Sequence, residues 1–191
     1  MTEYAGHGAE LAKEELNNGT DIIAAAGGDG TVNEIASIVA GSQSTLAILP
    51  GGSGNGFAMH LGLGRDTLHA FEILKTGKTK MVDTCMVNDK FFINIAGLGF
   101  DARIAYLTKS NKKRGFFQYF KTTIQESGKF KAMPLKITLD NNEVITGKFA
   151  AAVVANASMY GYNFTIAPTA ALDDGLFDIM LIKEAPVYKY F

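Results

Sequence analysis

Ala26-Gly27-Gly28-Asp29-Gly30-Thr31-Val32-Asn33-Glu34 places three glycines and a carboxylate where a buried strand gives way to a helix. The preceding run, Ile22-Ile23-Ala24-Ala25-Ala26, is apolar, short and closed by glycine, the pattern of a strand covered on both faces of a parallel sheet. Thr31 is placed to cap the following helix, and Glu34 three residues on completes a capping box. Backbone N–H groups at a glycine-lined helix start are unpaired donors at the positive end of the helix dipole, and they bind anions. Asp29 puts a negative charge into that same loop. A carboxylate beside a phosphate is repulsive unless a cation lies between them, so the loop reads as a Mg²⁺–nucleotide site.

A second loop has the same build. Leu46-Ala47-Ile48-Leu49 reads as another buried strand and runs into Pro50-Gly51-Gly52-Ser53-Gly54-Asn55-Gly56-Phe57-Ala58. Glycine at four of the six positions 51–56 keeps side chains away from whatever the backbone approaches. Ser53 or Asn55 can offer a hydroxyl or amide to a phosphate or ribose, or cap the next helix. Either loop alone is also what a tight strand-to-helix turn looks like. Two of them after consecutive strands lie together at the carboxyl edge of a sheet, where α/β folds bind ligands.

The pair GGDGTVNE and LPGGSGNGFA resembles the nucleotide-binding core of the diacylglycerol kinase catalytic family, which includes sphingosine, ceramide and bacterial lipid kinases. Further matches follow in order along the chain. Thr2 with Gly6-His7-Gly8-Ala9 resembles the family's Thr-x-x-x-Gly-x-Ala segment, and Val82-Asp83 the Val-Asp that closes its first domain. Phe92-Ile93-Asn94 with Gly97-Leu98-Gly99-Phe100-Asp101-Ala102, and Ile166-Ala167-Pro168 with Leu172-Asp173-Asp174-Gly175-Leu176-Phe177-Asp178, resemble two more family segments.

Departures from the family pattern carry information as well. Members usually have Thr where Ser53 stands, which keeps the hydroxyl. Many bacterial members place Asp where Gly56 stands, as part of a Mg²⁺-linked water network; here Asp29 and Asp83 are the remaining candidates. The Ser-Gly-Asn pattern is closer to the sphingosine and ceramide kinase variant but does not assign a lipid. The family's first strand, with its Asn-Pro turn, and its returning Asp-Gly-Glu-like segment with the general base have no counterpart between Thr2 and Phe191. The sequence is therefore read as a fragment, with little or no turnover expected of it alone.

Composition narrows the setting. With 191 residues and 47% hydrophobic content the chain can bury one large core or two modest ones. A net charge of −1 gives no field for nucleic acid. Cys85 is the single cysteine, so no intrachain disulfide forms and a reducing, cytoplasmic compartment is the simple inference. The start Met-Thr-Glu-Tyr-Ala-Gly-His has no secretory-leader pattern, and no apolar run approaches the ~20 residues that span a bilayer. In such a chain the sequons at Asn156 and Asn163 are chance matches.

The pattern changes character near residue 80. Before it, helices and buried strands alternate, with helices predicted from about Gly6 to Asn18, stopped by Gly19, and from Thr67 to Lys75 with Ala70, Phe71 and Leu74 on one face. After Val82 the periods are those of strands. Cys85-Met86-Val87 and Phe91-Phe92-Ile93 flank the turn pair Asn88-Asp89, and Leu135–Leu139 alternates before Asn141-Asn142. Ala150–Val154 and Phe177–Ile182 add two more strands. The pattern reads as an α/β domain followed by a mainly antiparallel one, and the resemblance implies the α/β fold class of a Rossmann-like parallel nucleotide-binding domain over residues 1–82, then a mainly antiparallel β-sandwich domain over 83–191, as in NAD kinase and diacylglycerol kinase folds. The second domain is expected to bind the lipid.

A helical insertion interrupts the second half. Lys109, Lys112, Lys113 and Arg114 precede Phe116, Phe117, Phe120 and Ile124, which fall on one helical face. A basic amphipathic helix can lie in a membrane interface. The plainer and preferred reading is a helix packed on its own sheet with solvated lysines. Other motifs are weaker. Gly97-Leu98-Gly99-Phe100-Asp101-Ala102 matches GxGxxA without a clear βαβ context, no Walker loop is present, and His7, His60 and His69 lack partners at metal-ligand spacing. Asp173-Asp174-Gly175 fits a surface turn. By the resemblance, Asp174 instead holds a structural Mg²⁺ with the carbonyls of Ala171 and Leu176; both readings stand.

The resemblance thus implies an ATP-dependent lipid kinase core whose acceptor hydroxyl belongs to a diacylglycerol- or sphingosine-like lipid bound between the two domains. In that reading the N–H groups of Gly27, Gly28, Asp29, Gly30, Thr31, Val32 and Asn33, with Gly52, hold the phosphates. Side chains of Thr2, Thr31, Asn33 and Ser53 add hydrogen bonds, and Asp29 and Asp83 are the catalytic carboxylates that orient Mg²⁺. The partners expected are ATP, a lipid, a peripheral membrane contact and a second copy of the chain as a homodimer; nucleic acid is not among them. Two rivals remain: a NAD kinase-like enzyme, echoed in part by Asn94-Ile95-Ala96-Gly97-Leu98-Gly99-Phe100, and a non-catalytic nucleotide-binding module.

Overall fold

The computed structural model describes residues 2–109, 115–127 and 129–184. Lys112, Lys113 and Arg114 of the basic run, and the side chains of Lys109 and Phe116, lie outside the described residues. In chain order the elements are α1 (His7–Asn17), β1 (Ile22–Gly27), α2 (Asp29–Val39), β2 (Thr45–Pro50), α3 (Gly56–His60), α4 (Thr67–Thr76), β3 (Cys85–Val87), β4 (Lys90–Phe92) and β5 (Ile95–Gly99). They continue with α5 (Phe100–Lys109), α6 (Phe116–Ser127), β6 (Met133–Thr138), β7 (Val144–Phe149), β8 (Ala151–Ala155), β9 (Met159–Gly161), β10 (Phe164–Thr165) and β11 (Asp178–Ile182).

The chain divides into two compact units: the residues up to Ile95 together with Ala155–Asp178, and Ala96–Val154 together with the chain from Ile179 on. The boundary expected between residues 82 and 83 falls inside the first unit. Hydrogen bonds explain why. Asp83 N–H donates to Leu172 O at 2.5 Å, and Asn156 Nδ2 donates to Ile93 O at 2.8 Å, so the two distant segments are tied to each other.

In the first unit β1 and β2 are parallel, in register from Ile22↔Thr45 to Gly27↔Pro50, and each ends in a glycine loop that opens a helix. The core gathers Ile23, Ala25, Val32, Ile35, Ile48 and Phe57 from these strands and helices. β1 is not covered on both faces as its composition predicts: Ile22 is 60% exposed, and Ala24 and Ala26 also face solvent. The reason is that α2 packs on one side only, where Ile23 and Ala25 point. α1 ends as predicted, with Gly19 at φ +74° supplying the left-handed turn. α4 buries only Ala70 of its predicted face; Phe71 and Leu74 stay exposed, with the Lys75 ammonium 5.2 Å from the Phe71 ring centre.

β3 and β4 form the hairpin predicted at Asn88-Asp89, with Val87↔Lys90 as the closing pair and Asn88 at φ +50°. In the second unit β6 and β7 pair antiparallel around Asn142 at φ +63°, and a separate sheet has the order β11-β8-β5. α6 differs from its predicted packing. It buries the side that carries Thr122 and Glu126, while Phe117 is 78% exposed and Ile124 also faces solvent. Glu126 accounts for this orientation: its Oε2 accepts from Arg103 at 2.7 Å and its Oε1 from Lys129 at 3.1 Å, drawing the polar face inward. Among the described residues no helix is long and apolar enough to cross a membrane.

Candidate nucleotide site

The first glycine loop is short because the helix begins inside it. Gly28, extended at φ −90°, is the residue before α2, and the first intrahelical bond runs from Val32 N–H to Gly28 O at 3.0 Å. Helix geometry then leaves the N–H groups of Asp29, Gly30 and Thr31 as the open donors of the first turn. Thr31 is therefore the third helical residue and not the cap, and no side chain caps α2. Glu34 does not close a capping box either; its Oε1 accepts Ala9 N–H at 3.0 Å and fastens α1 to α2. Val32 leaves the expected anion-binding set, since its side chain is core and its N–H is used within the helix. Asn33 leaves it as well: its Nδ2 donates to Phe91 O at 3.2 Å and its Oδ1 accepts Ile93 N–H at 3.1 Å.

The second loop is closed on itself. Asn55, 4% exposed and left-handed at φ +53°, accepts Gly52 N–H at 2.9 Å and donates to Gly52 O at 2.8 Å. Neither Asn55 nor the Gly52 N–H is thus available as a ligand group, and Asn55 does not cap α3 with its side chain. The two loops touch backbone to backbone: a Cβ on Gly52 would collide with Gly28 Cα, and Gly51 N–H donates to Gly27 O at 2.8 Å. On its other side the loop bridges to β9 through Asn55↔Gly161. A Cβ at Gly56 would lie 2.5 Å from Met159 O and 2.7 Å from Tyr160 C, so glycine is required there. An aspartate side chain at this point has no room in this arrangement.

Asp29 joins the loops. Its Oδ1 accepts Phe57 N–H at 3.0 Å in the first turn of α3, and its Oδ2 faces Gly54. Ser53 and Thr2 are exposed, and Gly30 has open space around it. Asp83 is held by a different segment, with Oδ2 accepting Gly175 N–H at 2.8 Å. Asp174 makes the surface turn expected of Asp-Asp-Gly: its Oδ1 accepts Leu176 N–H at 3.0 Å, and Gly175 is left-handed at φ +70°. Ala171 is half-buried and Leu176 exposed beside it. Asp173 pairs with Lys80 at 2.9 Å at the surface.

Comparison with known proteins finds two family domains along the chain. Residues 1–87 match the family model described as diacylglycerol kinase catalytic domain, and residues 94–191 match the YegS C-terminal NAD kinase beta sandwich-like domain. The chain belongs to the family of the YegS C-terminal domain, which covers just over half of it, and carries a diacylglycerol kinase catalytic domain before it. It is 32% identical over 194 residues to a diacylglycerol kinase of Bacillus subtilis (strain 168), covering 99% of this chain and 64% of that protein. It is 33% identical over 189 residues to a diacylglycerol kinase of Staphylococcus haemolyticus (strain JCSC1435), covering 96% of this chain and 57% of that protein. The crystal structure of a diacylglycerol kinase from Bacillus anthracis str. Sterne is similar with a TM-score of 0.76 at 28% identity, over 99% of this chain and 63% of that one. The chain thus spans about three fifths of the length of the curated relatives it matches. The fold class is the α/β nucleotide-binding domain followed by a β-sandwich-like domain.

Within this family fold, the residues bear differently on a metal. Among the described residues no three His, Cys, Asp or Glu side chains gather into a metal cage. Mg²⁺ seldom needs one, since it binds through one or two carboxylates with waters and phosphate oxygens. Asp29 supplies a hard oxygen donor next to open N–H groups, which fits that habit. Cys85 has no part in it: burial and then the Asp83 charge push its thiol up to about 11, which leaves it protonated and inert.

Two residues escaped the sequence reading. Asn156, fully buried at the end of β8, donates both to Ile93 O and to Asp83 O, at 2.8 and 3.1 Å. An amide directly after an all-apolar strand was the available signal. His60 finds its partner 98 residues away in Ser158, which no local pattern announces.

Proposed function

We propose that this chain is the core of an ATP-dependent lipid kinase that transfers the γ-phosphoryl group to the hydroxyl of a diacylglycerol- or sphingosine-like lipid. The observation that carries this is the open first turn of α2, with its Asp29 carboxylate, in a chain with a diacylglycerol kinase catalytic domain. Phosphoryl transfer needs positioning and charge neutralisation more than covalent help from protein. The N–H groups of Asp29, Gly30 and Thr31 hold phosphate oxygens, while Gly27 and Gly28 make room for Thr31 and Gly52 behind them. The hydroxyls of Thr31, Ser53 and Thr2 are the further donors. Asp29 and Asp83 are the carboxylates assigned to Mg²⁺, which when bound neutralises phosphate charge. A second, structural Mg²⁺ is assigned to Asp174 with the carbonyls of Ala171 and Leu176.

A peripheral membrane contact suits such a substrate. Between Asp101 and Glu126 the sequence carries Arg103, Lys109, Lys112, Lys113, Arg114 and Lys121 and no acidic residue, and Phe117 and Ile124 are exposed on α6. This combination favours an anionic lipid surface. A cytoplasmic location is the assignment that a single buried thiol suits, and self-association as a homodimer is the remaining partner assignment.

Calorimetry with ATP, with and without Mg²⁺, tests the nucleotide site: Mg²⁺-dependent binding that is lost in Asp29→Ala supports it, and an unaffected variant refutes it. Labelled ATP given to the longest form of the protein tests the acceptor. Label in the organic-solvent extract supports the lipid kinase, and label on NAD supports the NAD kinase-like rival.

A further inference from the structure

His60 ends α3, the helix that the second glycine loop opens into. Its Nδ1 accepts the Ser158 N–H at 3.0 Å and lies 2.7 Å from the Ser158 hydroxyl. Ser158 is buried and follows Asn156, whose amide holds the Asp83 carbonyl. One imidazole nitrogen thus joins the helix behind residues 51–56 to the segment that fixes Asp83. We infer that His60 is a positioning residue for the second glycine loop, holding α3 against residues 156–158 only while its Nδ1 is unprotonated.

The asymmetry of the two donors makes the contact a switch. A hydroxyl is donor and acceptor, so Ser158 Oγ can reverse its role and accept from a protonated Nδ1. The Ser158 N–H cannot reverse; on protonation it faces another N–H and loses its partner inside the protein. Burial, and after it the Lys80 ammonium, hold His60 below the ordinary histidine value, so the neutral ring is the native form at neutral pH. A histidine whose folded value is lowered contributes stability that is full above the unfolded value. That contribution is lost as pH falls through the folded value.

The surroundings offer few competing titrations. β9 brings Tyr160, β2 brings no ionisable group, and α2 brings Asp29 and Glu34, which are engaged by the N–H groups of Phe57 and Ala9. Lys80 is paired with Asp173. Release of α3 in acid loosens the Phe57 N–H to Asp29 contact, and with it the alignment of the two loops. The nucleotide-site reading matters only for the consequence, weaker ATP binding at acid pH; the coupling itself is read without ligand.

The test is amide hydrogen exchange followed by NMR from pH 5 to 7.5 on the chain, on His60→Asn and on Ser158→Ala. Asn presents an oxygen where Nδ1 stood and does not titrate. In the wild type, protection of Ser158 and Phe57 should fall by up to about tenfold per pH unit between the unfolded and the folded histidine values and level off below, with Val32 unaffected. His60→Asn should be flat, and Ser158→Ala steeper, because no hydroxyl remains to accept the proton. An identical pH response in wild type and His60→Asn overturns the inference. The ring nitrogen shifts of the wild type read the same point without a variant: a protonated Nδ1 at neutral pH also overturns it. Adding ATP and Mg²⁺ separates the two readings. Exchange that behaves as described without any nucleotide binding leaves the positioning role standing and sinks the kinase site.

Discussion

The two glycine loops follow neighbouring parallel strands and look alike as text, yet one glycine of the first has no counterpart in the second. In the first, Gly27 packs against Thr31 and Gly28 against Gly52, but Gly30 has nothing near the place of a Cβ, and the helix start offers N–H groups outward. In the second, Gly52 and Gly56 are pressed against other backbone, and Asn55 consumes the polar groups of Gly52. One loop opens onto free space at Gly30; the other is a clasp between the first loop and β9. Glycine content alone does not separate a binding loop from a packing loop. What separates them is whether the missing Cβ would meet solvent or main chain.

The sharpest way to break this comparison is Gly56→Asp. With Met159 O only 2.5 Å from the new Cβ, the clasp must open and a charge must find space. A loss of about 3 kcal/mol or more in urea unfolding is expected. A loss near zero would mean that β9 yields freely and that the second loop is no clasp. Gly52→Ala comes next. Its Cβ meets Gly28 Cα, a backbone atom that cannot rotate away, and overpacking of this kind costs about 1–3 kcal/mol.

Those positions also show what the sequence could and could not reveal. The strand–glycine–helix order, the hairpin at Asn88-Asp89 and the stop at Gly19 are local chemistry, and each is present as read. The cap at Thr31 failed because helix α2 starts three residues earlier, at Asp29, with Gly28 in the cap position pressed against Gly52. Glu34 with Ala9, Asn33 with Phe91 and His60 with Ser158 join residues 25, 58 and 98 positions apart, beyond any periodic signal. α6 misled for a similar reason. Its aromatic face is a good amphipathic stripe, but Arg103 and Lys129 draw Glu126, and so the opposite face, inward. The candidate site was legible as residue types; which groups remain open toward a ligand was not.

Asp29 belongs to both loops, so its substitutions divide their functions. Asp29→Ala removes the acceptor of Phe57 N–H as well as the charge, and should cost about 1 kcal/mol of stability. Asp29→Asn keeps an acceptor oxygen and should cost less than half of that. Both are expected to weaken Mg²⁺-dependent ATP binding at least about tenfold, since hard cations require the charge. Equal ATP binding by Asp29→Asn and wild type would reduce Asp29 to a helix clip.

The smallest effect is the most discriminating. Gly30 lies within α2, exposed, with no atom within 4 Å of the Cβ that alanine would add. Alanine is the better helix former by about 0.5–1 kcal/mol, so Gly30→Ala should raise stability, opposite in sign to Gly52→Ala. If the first loop is kept bare for a phosphate, the same methyl group should obstruct it, and ATP affinity should fall while the melting temperature rises. Stability and binding moving apart would show that glycine is held at this position against the preference of its own helix. Were both to rise together, the bareness of the first loop would have no ligand to explain it, and the two loops would differ only in how tightly their backbones pack.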